Sequence, residues 1–275
     1  MRIRPILLLY ILSLAALAIL SVYTLQTYEV PHRWPALQPR KPAILNDVPL
    51  EIIVTWNSRR VPYFMKQHLE GLQASHPEFT LYIYSHDECR EFIQRWYSAD
   101  VLHAYDSLIP GAYRSDLFRY CKLYKDGGVY TDIKFIFNKP LINLIERANF
   151  HVIQDDQTEV PGCMCNGFLI SPPNNPVFAH CIETIVKNCE ARAYNRNALH
   201  ITGPCVLGDS IREKMPHYRS PYQFRWATRK VYDANGKEFM TEYPEYRVEQ
   251  KRHMVAVDYR EAWTDKKVYR AEKKE

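Results

Sequence analysis

The sequence lacks the standard signatures of several large enzyme classes. It contains neither G-x-G-x-x-G nor a Walker loop, so dinucleotide oxidoreduction and P-loop hydrolysis lose their usual support. The motifs G-x-S-x-G and H-E-x-x-H of serine esterases and zincins are missing as well. Cys163 and Cys165 have no second Cys or His pair at zinc spacing, so a structural zinc site is not expected.

A strong excess of positive charge is also missing. The formal net charge is +5, but outside residues 1–49 the chain holds 31 Lys and Arg against 29 Asp and Glu. Nucleic-acid binding needs a larger basic footprint, so no nucleic-acid partner is expected. With 275 residues, 47% of them hydrophobic, the chain can bury a core, which excludes disorder, collagen and coiled coil.

One long uncharged run lies near the N-terminus. Residues 5–25 carry no charge and follow Arg2 and Arg4. A helix of this length spans the hydrocarbon layer of about 30 Å. Because the next cation is Arg33, the positive-inside bias places residues 1–4 in the cytoplasm. We expect a transmembrane signal anchor over 5–25; a cleaved signal peptide, whose apolar region is usually about 7–15 residues, is the alternative.

Residues 26–49 contain five prolines and no glycine. Regular prolines favour extended, poorly packed chain. The sequence therefore predicts a Pro-rich stem over 26–49 and a single folded domain over 50–275.

Strand and helix patterns alternate along this domain. Alternation at this spacing indicates a parallel sheet covered by helices, an α/β fold. Gly127 and Gly128 are expected to end one helix in the left-handed conformation, and Asp87 to cap another. The predicted strands are 51–56, 79–84, 129–137, 151–154 and 168–171, and the predicted helices are 63–75, 87–96, 113–125, 176–189 and one after Pro204.

Polar residues collect at one point of this pattern. Asp116 and Arg119 share a helix face, where an acid and a guanidinium together can read hydroxyl groups and phosphates. The alternative is an exposed ion pair of small value. Asp132 and Lys134 lie at the carboxyl end of the next predicted strand, on one face with Tyr130. Ligands of open α/β sheets bind at that end.

The pattern S-D-x-x-R-Y-x-x-L-x-x-x-G-G-x-Y-x-D over residues 115–132 resembles glycosyltransferase family 32. This DXD sugar-transferase group includes fungal mannosyltransferases and capsular-polysaccharide enzymes. Residues 53–56 resemble the family's first nucleotide-contacting strand, 166–171 its NG-x-x-IS segment, and 202–204 its TGP turn. Residues 259–263 resemble its aromatic closing loop, so the resemblance covers most of the predicted domain.

The resemblance implies a retaining glycosyltransferase of the GT-A fold, with a Rossmann-type mixed sheet flanked by helices and preceded by one transmembrane helix. It implies a nucleotide-sugar donor carrying a hexose-type sugar and a glycan or glycolipid acceptor. The enzyme would be a single-pass type II protein of a Golgi or secretory-type membrane, with the catalytic domain lumenal.

The resemblance also implies roles for individual residues. Asp132 is the first acid of the DXD motif, Asp116 and Arg119 grip the donor sugar and its phosphates, and Asn166 lies near the reacting sugar. The expected donor-binding set adds Thr55, Trp56, Tyr130, Lys134 and Trp263. On residue type alone, Trp56 could equally be a core residue and Asn166 a capping or turn residue.

Lys134 stands where the family usually has the second acid of the DXD motif. An ammonium group offers donors only and cannot ligate a hard cation. Either Asp132 still holds Mn²⁺ or another divalent cation together with phosphate oxygens and Asp258, or Lys134 itself neutralises the diphosphate. We favour the second interpretation, with weak or absent metal dependence.

Two other functions stay open from the sequence. A non-catalytic sugar-binding or scaffold protein would explain the loss of an acid at Lys134. A glycoside hydrolase would need two carboxyl groups about 5–10 Å apart. Asp155 and Asp156 are adjacent, but neighbours on a strand point to opposite faces, so solvated loop acids are the simpler interpretation.

Overall fold

The computed structural model of the chain describes residues 13, 26–155, 162–225, 227–253 and 257–271. These residues form a mixed α/β fold around one ten-stranded sheet. The α/β class and the mixed sheet flanked by helices are thereby confirmed. Only part of the sheet is parallel. Its parallel pairs are β5 with β7, β5 with β8 and β10 with β12, and its other neighbouring strands pair antiparallel.

The first half of the described chain supplies the parallel part of the sheet. Its strands are β1 (Thr27–Glu29), β2 (Arg33–Trp34), β3 (Ile44–Leu45), β4 (Val48–Pro49), β5 (Glu51–Thr55), β6 (Arg60–Pro62), β7 (Thr80–Tyr84) and β8 (Gly128–Thr131). Its helices are α1 (Tyr63–Ser75), α2 (His86–Trp96), α3 (Ala99–Ser107) and α4 (Gly111–Asp126).

The second half supplies most of the antiparallel pairs and one parallel pair, β10 with β12. Its strands are β9 (Phe135–Phe137), β10 (His151–Asp155), β11 (Met164–Ser171), β12 (Tyr222–Arg225), β13 (Lys230–Asp233) and β14 (Glu238–Glu242). Its helices are α5 (Ile142–Ile145), α6 (Pro176–Glu190), α7 (Pro204–Lys214), α8 (Tyr246–His253) and α9 (Tyr259–Thr264), with a 3₁₀ turn at Ala198–His200.

The strand order is β2-β7-β5-β8-β11-β10-β12-β13-β14-β9. Strand β5 lies between β7 and β8 and is parallel to both, so the carboxyl ends of these three strands meet at one edge. The core lies on both faces of the sheet. Ile53 packs into one apolar cluster while Ile52 and Val54 pack into the other, as the twofold alternation of a strand requires.

The segment predicted as a stem is packed against the domain in part. β2 is the edge strand of the large sheet beside β7, and β1 pairs with β6. Val30 and Val48 are buried in the core. The expectation of poorly packed chain is therefore wrong for these residues, because short β pairings satisfy the backbone between the prolines.

The strand predicted over 129–137 is two strands. β8 ends at Thr131, and the amide of Phe135 donates to the Asp132 carbonyl at 3.2 Å, which closes a turn. β9 then pairs with β14 at the far edge of the sheet. Asp132 and Lys134 therefore belong to the turn that follows β8, at the predicted end of the sheet.

Local signals explain some of the helix boundaries. Ser85, and not Asp87, caps α2: its hydroxyl accepts from the Glu88 amide while the Glu88 carboxylate accepts from the Ser85 amide. Gly127 ends α4 at φ 72° and Gly128 follows at φ 108°, as predicted. Helix α3 and strands β12 to β14 were not predicted, since their short segments show little periodicity.

The predicted anchor over residues 5–25 lies outside the described residues, apart from Ser13. Within the part of the chain that the structure describes, no helix has the length and apolar character needed to cross a bilayer.

Candidate active site

A cleft of about 620 Å³ opens where the carboxyl ends of β5 and β8 meet the helices α4 and α8. Nine of the residues predicted for the site line it: Thr55, Trp56, Asp116, Arg119, Tyr130, Asp132, Lys134, Asn166 and Asp258. Trp263 is not among the lining residues. Its indole N–H donates to the Tyr194 carbonyl at 2.5 Å, so the structure does not bring Trp263 to the predicted donor site.

Asp116 forms the centre of a buried hydrogen-bond network. It lies on α4 with 7% of its surface exposed. Its carboxylate accepts from the Asn166 amide at 2.8 Å and from the Thr202 hydroxyl at 2.7 Å, and it pairs with Arg119 at 3.2 Å. The exposed ion pair weighed from the sequence is therefore wrong. Burial raises the pKa of Asp116, against the opposing effect of Arg119, Thr202 and Asn166.

Arg119 bridges the two acids of the site. One guanidinium nitrogen contacts Asp132 at 3.3 Å and donates to the Asn166 carbonyl at 2.6 Å, and the other faces Asp116. The group also lies 4.4 Å from the centre of the Tyr130 ring, a cation–π contact. These contacts fix the guanidinium in one orientation.

Asp132 is held between two cations. One carboxylate oxygen contacts Arg119, and the other pairs with the Lys134 ammonium at 2.9 Å. Burial raises the pKa of Asp132, but Lys134 and Arg119 outweigh it, so the pKa lies below its usual value. The Tyr130 hydroxyl donates to the same carboxylate at 3.5 Å. Asp132 is therefore ionised at neutral pH.

This donor set does not fit a divalent metal ion. Both oxygens of Asp132 already face cations. Asp258, the second predicted ligand, is the N-cap of α9 and accepts from the Arg260 and Glu261 amides. Among the described residues, no group of three or more His, Cys, Asp or Glu is arranged to hold a metal ion. A divalent cation beside a diphosphate is usually held by one or two carboxylates with phosphate oxygens and water, and here each oxygen of Asp132 is already paired with a cation.

Thr55 and Trp56 lie at the end of β5. The Thr55 hydroxyl is 3.1 Å from the Tyr130 hydroxyl. Trp56 is a buried core residue that also lines the cleft, and its contact with the nucleotide stays a prediction. Its indole N–H has no hydrogen-bond acceptor among the described residues. Asn166 is neither a cap nor a turn residue, because it lies in β11 and joins Asp116 to the Tyr120 hydroxyl.

Several residues that line the cleft, and one that contacts Asp116 from behind it, were not identified from the sequence. Asp155 ends β10 and is buried, so its interpretation as a solvated loop acid is wrong; Asp156 lies outside the described residues. Thr202 belongs to the TGP turn, a signal that was noted without a role for its hydroxyl. Helix α8 carries no motif, and it supplies the cleft residues Tyr246, Arg247 and Gln250.

A disulfide between Cys163 and Cys205 joins the segments that frame the site. Cys163 precedes β11, which carries Asn166, and Cys205 follows the turn that carries Thr202. The crosslink therefore connects the two chain segments that hydrogen-bond to Asp116.

Gly167 provides the room for the Asp132 carboxylate. A Cβ atom at this position would lie 2.7 Å from one carboxylate oxygen of Asp132 and 3.1 Å from its carboxyl carbon. We expect Gly167→Ala to displace the carboxylate and lower activity by about 10²-fold, the cost of misplacing a reacting group by about 1 Å. The matched control is Gly71→Ala in α1, where the new methyl group meets open space and activity should persist. Equal activity of the two variants would contradict this role of Gly167.

One family model matches the part of the chain that carries several residues of this site. Residues 62–151 match the family model described as "Glycosyltransferase sugar-binding region containing DXD motif". The matched range includes Asp116, Arg119, Asp132 and Lys134. The resemblance stated from the motif is thereby confirmed: residues 62–151 are similar to the sugar-binding region of DXD glycosyltransferases.

Several proteins with similar sequences are glycosyltransferases by name. An uncharacterized glycosyltransferase of Acanthamoeba polyphaga mimivirus is 26% identical over 154 residues, which are 56% of this chain and 59% of the relative. Inositol phosphoceramide mannosyltransferase 2 of Schizosaccharomyces pombe is 26% identical over 185 residues, 63% of this chain and 51% of the relative. The initiation-specific alpha-1,6-mannosyltransferase of Candida albicans is 32% identical over 90 residues, 31% and 23%. The chain thus spans between a quarter and three fifths of these relatives. Among solved structures, the PaToxG glycosyltransferase matches with a TM-score of 0.49 and 17% identity, over 62% of this chain and 70% of that one.

Proposed function

We propose that the protein is a retaining glycosyltransferase of the GT-A type that transfers a hexose from a nucleotide-sugar donor. The observation that carries the proposal is the array formed by the buried Asp116 and Arg119 and the partly exposed Asp132 at the carboxyl edge of the sheet. It lies inside the segment that matches the DXD family and opens to a cleft large enough for a small ligand.

In this proposal the acids and Asn166 orient the donor sugar. Asp116 and Asp132 are acceptors for sugar hydroxyl groups, and Arg119 donates to hydroxyl and phosphate oxygens. Their own hydrogen bonds hold them in place before the donor arrives, which lowers the cost of ordering the site.

The leaving group is a nucleoside diphosphate whose charge grows as the glycosidic bond breaks. Fixed cations aimed at that charge supply the largest expected catalytic contribution. Lys134 provides one: burial opposes its charge, but Asp132, Tyr246 and Glu242 raise the pKa of Lys134 above its usual value, so the ammonium stays charged. We propose that this cation replaces the divalent metal ion. Retention would then follow if the acceptor hydroxyl attacks the anomeric carbon of the sugar from the same face on which the diphosphate departs, guided by the leaving phosphate.

The names of the relatives suggest mannose as the transferred sugar and a glycan or a ceramide-type glycolipid as the acceptor. The proposal also keeps the secretory-type membrane and type II topology expected from the sequence. The Cys163–Cys205 disulfide supports an oxidising compartment, because disulfides persist there and are rare in the cytosol.

The proposal is tested by incubating the purified protein with a panel of UDP- and GDP-linked hexoses and measuring release of the free sugar. Transferases usually leak donor to water, so at least one donor should be hydrolysed, and EDTA should leave the rate within about twofold. If EDTA abolished hydrolysis and only Mn²⁺ restored it, the protein would still act as a transferase, but the proposal of a metal-free site would be refuted. No hydrolysis or transfer with any donor would favour the non-catalytic sugar-binding protein, which the Lys134 position also fits.

A further inference from the structure

Six charged side chains of alternating sign form a connected row, which we call the charge row. All of them except Glu242 line the cleft. Neighbouring members contact each other, beginning with the pairs of Arg119 described above. Lys134 then joins Asp132 at 2.9 Å and Glu242 at 3.9 Å, and Glu242 pairs with Arg247. The members in order are Asp116, Arg119, Asp132, Lys134, Glu242 and Arg247.

Lys134 and Arg247 are neighbours in space although they come from different elements. Lys134 belongs to the turn after β8, and Arg247 to α8. Both contact the same oxygen of Glu242, at 3.9 and 2.5 Å, so their nitrogens can be no farther apart than these two distances together. Both residues line the cleft. One diphosphate could therefore bind both cations at once.

Arg247 is fixed in place before any ligand arrives. Glu242, whose side chain is 7% exposed, accepts from Arg247 Nε at 2.9 Å and from a terminal nitrogen, and Gln250 accepts from the other terminal nitrogen at 3.0 Å. Helix α8 is anchored in turn, because the Glu249 carboxylate accepts from the Phe64 amide at 2.8 Å at the start of α1. The Arg247 side chain is still 40% exposed, so a ligand can reach it.

We propose that Arg247 and Lys134 together bind the diphosphate of the donor and stabilise the leaving charge. This inference rests on the proposed function and assigns Arg247 as a second catalytic cation. Two fixed unit charges supply the same total charge as one divalent metal ion. The guanidinium adds donors in a planar fork that matches phosphate oxygens, which an ammonium cannot do.

The proposal is tested by calorimetric titration of the full chain in EDTA with UDP, GDP, UMP and GMP. For the nucleoside diphosphate that binds, Arg247→Ala should weaken binding about 10-fold to 100-fold, the effect of losing hydrogen bonds to a charged group. Binding of the matching monophosphate should change less than about threefold. Arg247→Lys should restore part of the affinity, since it keeps the charge without the fork.

Arg229 offers a matched control. It contacts the other oxygen of Glu242 at 3.7 Å, but its side chain is 53% exposed and it does not line the cleft. Arg229→Ala should leave diphosphate binding within about twofold of the wild type. If both variants weakened binding equally, Arg247 would act only by holding Glu242, and the proposal would be overturned.

Salt gives a readout that a structural role would not change. Screening weakens attraction between charges, so wild-type affinity for the diphosphate should fall as NaCl rises, and Arg247→Ala should show a shallower fall. An unchanged affinity and salt dependence in Arg247→Ala, with transfer intact in the wild type, would overturn this inference alone. Failure of the wild type to bind any nucleoside diphosphate would instead overturn the proposed function.

Discussion

Asp132→Asn should abolish detectable sugar transfer and leave the protein folded. Asparagine keeps the size of the side chain but removes the charge that lies between Arg119 and Lys134. Both cations would then lose the partner that aims them into the cleft, and the donor sugar would lose a charged acceptor. Removing one preorganised electrostatic contact costs about 10²- to 10³-fold in rate, and here one substitution disturbs three such groups.

The measurement is the initial rate of transfer, or of donor hydrolysis, at saturating donor, together with the near-UV circular dichroism spectrum. Asp106→Asn is the control, because Asp106 also accepts two hydrogen bonds from a guanidinium, that of Arg90, but lies away from the cleft. Asp106→Asn should keep the wild-type rate within about twofold. A folded Asp132→Asn protein with wild-type transfer would place the chemistry elsewhere.

The sequence predicts the local part of this site well. Asp116 and Arg119 are three residues apart on a helix, so helical periodicity alone places them on one face. Asp132 follows a buried strand, and the edge where parallel strands end is a general place for ligands. These statements need only short-range geometry, and the structure gathers the three residues as expected.

The remaining contacts come from far along the chain. Thr202 reaches Asp116 across 86 residues. Glu242 reaches Lys134 because β14 pairs with β9, the strand that follows Lys134, and Arg247 joins the charge row only through Glu242. No local pattern specifies such contacts, because they depend on how strands far apart in the sequence, such as β9 and β14, pair in the sheet. The charge row was therefore out of reach from the sequence, although Lys134 was already marked as unusual.

The structure also changes what Lys134 means. From the sequence alone, a lysine in place of an acid indicates that a metal ligand has been lost. In the fold, the ammonium pairs with the remaining acid of the motif and lies close to a second anion, Glu242. A charge that is buried without partners is costly, whereas a paired one is retained. Lys134 is therefore an integrated part of the site, which favours a working cation over a degenerate position.

Arg119→Met should destabilise the fold strongly as well as stop transfer. Arg119 is the partner of two carboxylates, and its side chain and that of Asp116 are 7% and 9% exposed. Methionine fills a similar space but leaves Asp116 buried without its cation. Breaking a buried ion pair from one side costs about 3–5 kcal/mol of the free energy of unfolding, since the remaining charge keeps its desolvation cost.

Urea unfolding followed by circular dichroism measures this cost. The control is Arg90→Met, which removes a guanidinium from a carboxylate, Asp106, in a pair that is about two fifths exposed on both sides. It should lower the midpoint far less, because solvent stabilises the abandoned acid. Asp116→Asn combined with Arg119→Met should lose less stability than the two single losses together, since it removes both charges of the pair. If Arg119→Met unfolded at the same urea concentration as Arg90→Met, the ion pairs of Arg119 would stabilise the fold no more than an exposed ion pair does, and this prediction would be contradicted.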